Sequence, residues 1–389
     1  MVVKFFVAGF YGCRNLGDDA ILLGLTGRLS QVFAGAQFFV TAREPEMLPP
    51  VQGISPVPHS IGKGMLPFLL AQLKGEWLNV IRKMIEVHAF VLGGGALLHD
   101  LTPFNIPMFL MMTMLARILG KRVAFLGVAT ARIKSPMSRA LLRILVESAD
   151  LVTVRDLRSL QALEALGVRK KVHLTADNAL LIDLKQRERG HAKEVGESPT
   201  IGISVCAWFK SADFWAWRRG ELELWPKKIQ LAKLVDRIID SFDVDVLFVP
   251  LFHPYDRDAS VEVRNMMSRR DRARVLETYE GPQRMLEVFR NLRLLVAMRL
   301  HSVVLAALAE LPTVTIAYDP NVTSFLEDMR LLRYSADIED LDFETVFKIV
   351  NEVWSNSDSV TAEIREGIAQ LKERAELNIS LMQELLAGK

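Results

Sequence analysis

The chain has 389 residues, 50% of them hydrophobic and 24% charged, with a formal net charge of +2. That length exceeds what one core fills, so two domains are expected, and so small a net charge excludes the footprint of a nucleic-acid-binding protein. Cys13 and Cys206 are the only cysteines, too few and too far apart for a disulfide framework or a zinc cluster, which points to the cytoplasm and to no metal site.

The start, MVVKFFVAGF, lacks the apolar length and cleavage site of a signal peptide and reads as a first strand over residues 4–8. A loop with Gly9, Gly12 and Gly17 leads into a helix with Ile21, Leu22, Leu25 and Leu29 on one face. Its glycine spacing is not that of dinucleotide enzymes, and it lacks the lysine of a P-loop. Asp18 and Asp19 fit either an N-cap with a dipole-stabilising neighbour or an acid or base. Residues 38–41 read as a second strand, and 45–67 as mostly loop. A strand over 89–92 ends in Gly93-Gly94-Gly95, where backbone can approach a ligand closely or simply turn. A methionine-rich helix over 107–119 and a buried strand over 122–128 follow. The methionines fit core filling, and the apolar run 106–116 is far shorter than the roughly 20 residues of a membrane span.

Residues 151–154 read as a strand delivering Arg155 and Asp156 to its end, with Asp156 as an N-cap for the helix that stops at Gly167. Thr175-Ala176-Asp177-Asn178 closes another strand. The polar tract 185–199 reads as the linker between a domain over 1–184 and a second over 200–355. That second half restarts with a strand over 201–205. Trp208, Trp215, Trp217 and Trp225 then fall among Lys210, Arg218, Arg219, Lys227 and Lys228, a mixture suited to stacking on a sugar or resting at a lipid headgroup surface, with a packed flap as the alternative. A strand over 246–250 leads to His253-Pro254-Tyr255-Asp256, and 268–274 reads as a solvated basic patch. The strand 294–296 stops at Met298-Arg299-Leu300-His301, and after a helix a strand over 314–317 ends at Tyr318-Asp319-Pro320. A cation and a histidine where a parallel strand hands over to a helix suit an anion. The alternative pairs Arg299 with a structural carboxylate and leaves His301 as a cap. Helices are expected over 343–353 and 364–386, the last, within 356–389, long enough to cross back to the first domain. Asn378-Ile379-Ser380 matches a glycosylation acceptor but is discounted without a secretion signal.

Together these elements predict an α/β protein of two Rossmann-like doubly wound domains facing a cleft that holds a small polyanion. The blocks Gly9-Phe10-Tyr11-Gly12 with Asn15 to Leu22, Gly93-Gly94-Gly95 with Asp100, Val154-Arg155-Asp156 with Ser159, Ala176-Asp177, and Met298-Arg299-Leu300-His301 with Tyr318-Asp319-Pro320 resemble, in order, those of the polysaccharide pyruvyl transferases. The likeness is nearest to the branch acting on cell-wall polysaccharide precursors. Departures fall at Cys206, at Gly127 to Ala131 and at Ala297.

The resemblance implies a glycosyltransferase-B-like fold, phosphoenolpyruvate as donor with no further cofactor, and a glycan or lipid-linked sugar as acceptor. It also implies a cytoplasmic protein, at most peripheral at the inner face of the membrane, and leaves a homo-oligomer open. His301, Asp18 and Arg155 are the catalytic candidates. Arg299, Gly12, Asn15, Asp19, Gly93, Gly94, Gly95, Asp177, His253 and Asp319 are the substrate-binding candidates. A nucleotide-sugar glycosyltransferase and a silent anion- or sugar-binding relative are the alternatives.

Overall fold

A computed structural model describes residues 2–58, 75–102, 104–131, 133–184, 198–207, 225–338 and 342–388. The chain divides into two compact units, one of Met1–Cys13, Asp18–Asp183 and Leu371–Lys389, the other of Arg14–Gly17 and Leu184–Gln370.

The strands of the first unit are β1 (Lys4–Ala8), β2 (Gln37–Ala42), β3 (Ile54–Pro58), β4 (Ala89–Leu92), β5 (Gly95–Leu98), β6 (Arg122–Thr130), β7 (Leu151–Val154) and β8 (Val172–Leu174). They make one sheet in the order β3-β2-β1-β4-β6-β7-β8, with β5 paired to β6 beside that path, and every pairing is parallel. Parallel strands read as unbroken apolar runs because helices cover the sheet. Accordingly Phe5, Phe6, Val7 and Ala8 of β1 are all buried. The helices are α1 (Leu16–Val32), α2 (Glu76–Glu86), α3 (Asn105–Ile118), α4 (Pro136–Glu147) and α5 (Leu157–Ala165). Strand order reverses between β1 and β4, the switch point that opens a crevice off the strand ends.

Two expectations are corrected. The stretch 45–67 is not mostly loop in its described part, because β3 runs through Ile54–Pro58. Pro56 and Pro58 fit there since β3 is an edge strand bonded only to β2. Residues 268–274 are not simply a solvated patch, because β11 (Ala273–Val275) begins inside them. Arg272 there holds Asp243 and Asp245 at 2.9 and 2.6 Å. The linker tract up to residue 197 and Trp208, Trp215 and Trp217 lie outside the described residues.

The remaining strands of the second unit are β9 (Thr200–Ser204), β10 (Asp245–Phe248), β12 (Leu294–Ala297), β13 (Thr313–Ala317) and β14 (Ser335–Asp337). The order is β11-β10-β9-β12-β13-β14, all parallel, so its switch point lies between β9 and β12. Its helices are α6 (Trp225–Phe242), α7 (Tyr255–Met266), α8 (Pro282–Arg290), α9 (Leu300–Leu308), α10 (Pro320–Asp328) and α11 (Phe343–Ser355).

The last helix, α12 (Ser357–Ala387), contributes its residues from Leu371 onward to the first unit. Asn378 is fully buried there. Its Oδ1 accepts from the hydroxyls of Thr153 and Thr175, and its Nδ2 donates to Ala176 O at 3.1 Å and Asn178 Oδ1 at 2.9 Å. Arg374 adds two bonds to Thr175 O, at 3.2 and 2.8 Å.

Candidate active site

In the first unit the candidate residues gather at the carboxyl ends of β1, β4, β7 and β8. Tyr11, just past β1, is buried and donates its hydroxyl to Gly93 O at 2.8 Å, bridging the switch point. A Cβ built on Gly93 would sit 2.3 Å from that hydroxyl, so only glycine lets the ring cross here. Gly94 and Gly95 follow with φ of +89° and +85°, and Asp18 Oδ1 lies 3.3 Å from where a Cβ on Gly95 would be. Burial raises the Tyr11 hydroxyl well above its ordinary range, and the carboxylates of Asp18, Asp19 and Asp177 raise it further. Those three acids therefore share one neighbourhood with the tyrosine. Cys13 is pushed up to about 12, first by burial and then by Asp18, with Arg43 opposing. Its thiol stays protonated at neutral pH and is no nucleophile.

Asp18 and Asp19 stand in the first turn of α1, while Asn15 Oδ1 accepts Gly17 N at 3.2 Å. The start of α1 is thus closed by Asn15, and neither aspartate is needed as the cap. Arg155 is 7% exposed and extends from β7 to Asp177 Oδ2 at 2.8 Å, with Asp156 at 3.5 Å. Asp156 caps α5 by accepting Ser159 N at 2.7 Å, and Ser159 Oγ accepts Thr130 N. Asp177 Oδ1 accepts Ala179 N at 2.9 Å. Two acids hold one guanidinium, and each has its other contacts filled by backbone, so Arg155 is fixed in place. Gly12 O accepts Glu44 N at 3.0 Å, and Gly12 lies too close to the Glu44 carbonyl for any side chain.

In the second unit the site is built around Asp256, which in sequence is named only as the end of the His253–Asp256 motif. It is the carboxylate that the alternative reading of Arg299 calls for. The residue is fully buried near the start of α7. Its Oδ1 accepts Ala207 N at 3.1 Å and Arg299 Nη2 at 2.5 Å, and its Oδ2 accepts Phe252 N and Arg299 Nε, both at 2.9 Å. Burial by itself would lower the Arg299 guanidinium. The Asp256 carboxylate overcomes this and holds it well above its ordinary value. The Nη1 of Arg299 points to the Tyr318 hydroxyl at 3.5 Å. Its missed partner had one sequence signal. An arginine buried at a strand end needs a counter-charge, and Asp256 is an acid just past the end of β10, which lies two strands from β12 in the same sheet.

His301 opens α9 beside Gly17. A Cβ on Gly17 would fall 2.3 Å from His301 Nδ1. Residues Arg14 to Leu16 are clipped to the chain after β10 by Leu16 N to Leu251 O at 2.9 Å and His253 N to Arg14 O at 3.0 Å, with Asn15 bridged to Phe252. His253 packs edge-on to Tyr279, their centroids 5.7 Å apart, and burial lowers its pKa. It lines a small hollow with Leu16, Tyr279, Glu280 and Arg284. Asp319 Oδ1 caps α10 by accepting from Asn321 N and Nδ2. Among the described residues no group of acids, histidines and cysteines has the arrangement to hold a metal ion.

The sequence profile of the family described as polysaccharide pyruvyl transferase matches residues 15–320. The chain belongs to the polysaccharide pyruvyl transferase family. The matched span contains every candidate residue of this family member except Gly12. No protein of curated function matches the chain in sequence. Solved structures place the transferase in a glycosyltransferase-B-like, two-domain α/β fold. The UDP-GlcNAc 2-epimerase of Neisseria meningitidis, solved with UDP-GlcNAc, is similar with TM-score 0.62 and 12% identity over 99% of this chain and 100% of that one. The HepE protein of Anabaena, solved with UDP and glucose, gives 0.59 and 13% over 100% of both. The ADP-heptose LPS heptosyltransferase II of E. coli gives 0.51 and 13% over 92% of this chain and 100% of that one.

Proposed function

We propose that this family member moves a pyruvyl group from phosphoenolpyruvate onto two hydroxyls of one sugar, forming a carboxyethylidene ketal on a cell-surface polysaccharide or its lipid-linked precursor. The observation that carries the reading is that each unit holds a guanidinium at the end of a parallel strand, Arg155 by Asp156 and Asp177 and Arg299 by Asp256. A planar fork of this kind suits a carboxylate or a phosphate, the two anionic groups of the donor.

The reaction needs a proton on the donor methylene carbon and two sugar oxygens bonded to the former enol carbon. Phosphate leaves, and the two hydroxyls give up their protons, one balanced by the new methyl group and one by the departing phosphate or solvent. Asp18, with Asp19 as its substitute, takes a hydroxyl proton. His301, at the start of α9, holds phosphate or carries a proton. Gly94, Gly95 and the first turn of α9 supply backbone donors for an anion. Asp177 acts through Arg155, and Asn15, Gly12, His253 and Asp319 shape the loops that bear these groups. No cofactor beyond the donor is required, and the protein works in the cytoplasm.

A nucleotide-sugar reaction is the competing reading, drawn from the neighbours solved with UDP or UDP-GlcNAc. A thermal shift separates the two. Donor at about 100 times its dissociation constant stabilises by roughly 2.7 kcal/mol. The expected result is a shift with phosphoenolpyruvate that Arg299→Ala abolishes. A shift with uridine or guanosine diphosphate sugars alone would replace pyruvyl transfer by glycosyl transfer.

A further inference from the structure

Helices α3 and α4 of the first unit pack on each other. Ile106, Phe109, Met112 and Ala116 of α3 and Leu142, Leu145 and Val146 of α4 are buried in one core cluster. A helix at a wet surface turns polar side chains away from its core. These two expose Arg117, Arg139 and Arg143, but they also expose large apolar side chains. Phe104, Met111 and Ile118 recur every seven residues, which keeps them on one stripe, and Met137 and Ile144 repeat the spacing on α4. They are 51, 42, 82, 72 and 51% exposed. The stripe on α3 runs about 21 Å along the helix axis.

Charge around this face is net positive. From Asp100 to Asp150 the sequence carries seven lysines and arginines against three acids, Asp100, Glu147 and Asp150, in a chain whose net charge is +2. Asp100 accepts from Lys134 N and Ser135 N. Arg117 is paired with Asp150 at 3.0 Å. Lys121 and Arg139 donate to the backbone carbonyls of Ile85 and Ile133, which do not cancel their charge. Arg122, Lys134 and Arg143 are exposed, and Arg132 lies outside the described residues.

We propose that the α3–α4 face seats the protein on an anionic lipid surface. Exposed methionine, isoleucine and phenylalanine enter the boundary between headgroups and acyl chains, while the surrounding cations meet lipid phosphates. No helix among the described residues is long and apolar enough to cross a membrane, so the contact is peripheral. A second copy is a poor occupant, because two faces of the same net positive charge repel. The surface stands independently of the donor reading, and binding of phosphoenolpyruvate in vesicle-free solution is unaffected by its success or failure.

The test is co-sedimentation of the full chain with vesicles of phosphatidylglycerol and phosphatidylcholine, against phosphatidylcholine alone. The expected result is at least a roughly tenfold preference for the anionic vesicles, weakened by salt. The pair Ile118→Glu with Met137→Glu removes it without lowering the unfolding temperature, since both side chains are solvent-exposed. Arg122→Glu with Arg139→Glu, a second variant outside the apolar stripe, weakens it as well. Equal binding to both vesicle types, or undiminished binding by both variants, overturns the proposal. So does a dimer in analytical ultracentrifugation that Ile118→Glu with Met137→Glu dissolves.

Discussion

At the scale of single residues, the decisive contact is the two-pronged pair between Asp256 and Arg299. Removing one partner of a buried ion pair strands the other charge, at a cost of about 3–5 kcal/mol. Asp256→Asn keeps the shape and lets the guanidinium turn, so the expected outcome is a lower unfolding temperature together with loss of the phosphoenolpyruvate shift. A variant that keeps the shift would show that Arg299 holds its place without this acid. His99 gives a separate test. Burial lowers its pKa from 6.5 to about 4, with Asp100 opposing, and its Nδ1 accepts Leu101 N. Above pH 6.5 both folded and unfolded states are neutral at this ring, so it contributes no slope. Between about 6.5 and 4 the unfolded state takes up the proton first, so stability falls with pH by up to roughly 3 kcal/mol. Urea midpoints measured down that range should fall more steeply in wild type than in His99→Gln, because the variant lacks this loss.

At the scale of elements, the strand ends were legible in the sequence because each apolar run stops at a glycine, an arginine or an acid. That reading delivered β4 with its three glycines, β7 with Arg155 and β12 with Arg299. It failed where the period is hidden. β3 carries prolines that only an edge strand tolerates, and β11 is three residues long beside charges that pair locally. Partners such as Asp256 escaped because they lie far along the chain from what they hold. Asn378 escaped for the same reason, its tripeptide resembling a surface signal while its side chain is interior. With its hydrogen bonds to Thr153, Thr175, Ala176 and Asn178, Asn378→Ala should cost roughly 2–4 kcal/mol in urea unfolding. A loss below about 1 kcal/mol would mean that the two threonine hydroxyls find other acceptors.

At the scale of the molecule, the two sheets repeat one plan. Each reverses strand order once and carries an arginine held by acids at a strand end, in β7 of the first unit and β12 of the second. That repetition could be anticipated from the strand–helix rhythm of the sequence, since parallel strands need crossover helices and the crossovers fix their hand. The length of the last helix leads to the expectation that it crosses back to the first domain, and Leu371–Lys389 belong to unit one. The assignment of Arg14–Gly17 to the second unit could not be anticipated. That segment does not differ in composition from its neighbours, and unit membership is decided by contacts across long sequence separations.

The position of α12 also bears on how the protein is made. Unit one is interrupted by the 187 residues of Leu184–Gln370 and is completed only by the segment that starts at Leu371. A ribosome adding about 5–20 residues per second takes roughly 10 to 40 s to cover that interval. Throughout it the polar ends of β7 and β8 lack Asn378 and Arg374. The second unit can close while translation continues, whereas the first waits in an unfinished state until the segment from Leu371 onward has been made. Vectorial synthesis thus runs counter to domain order in this chain, and the unit begun first is the one completed last.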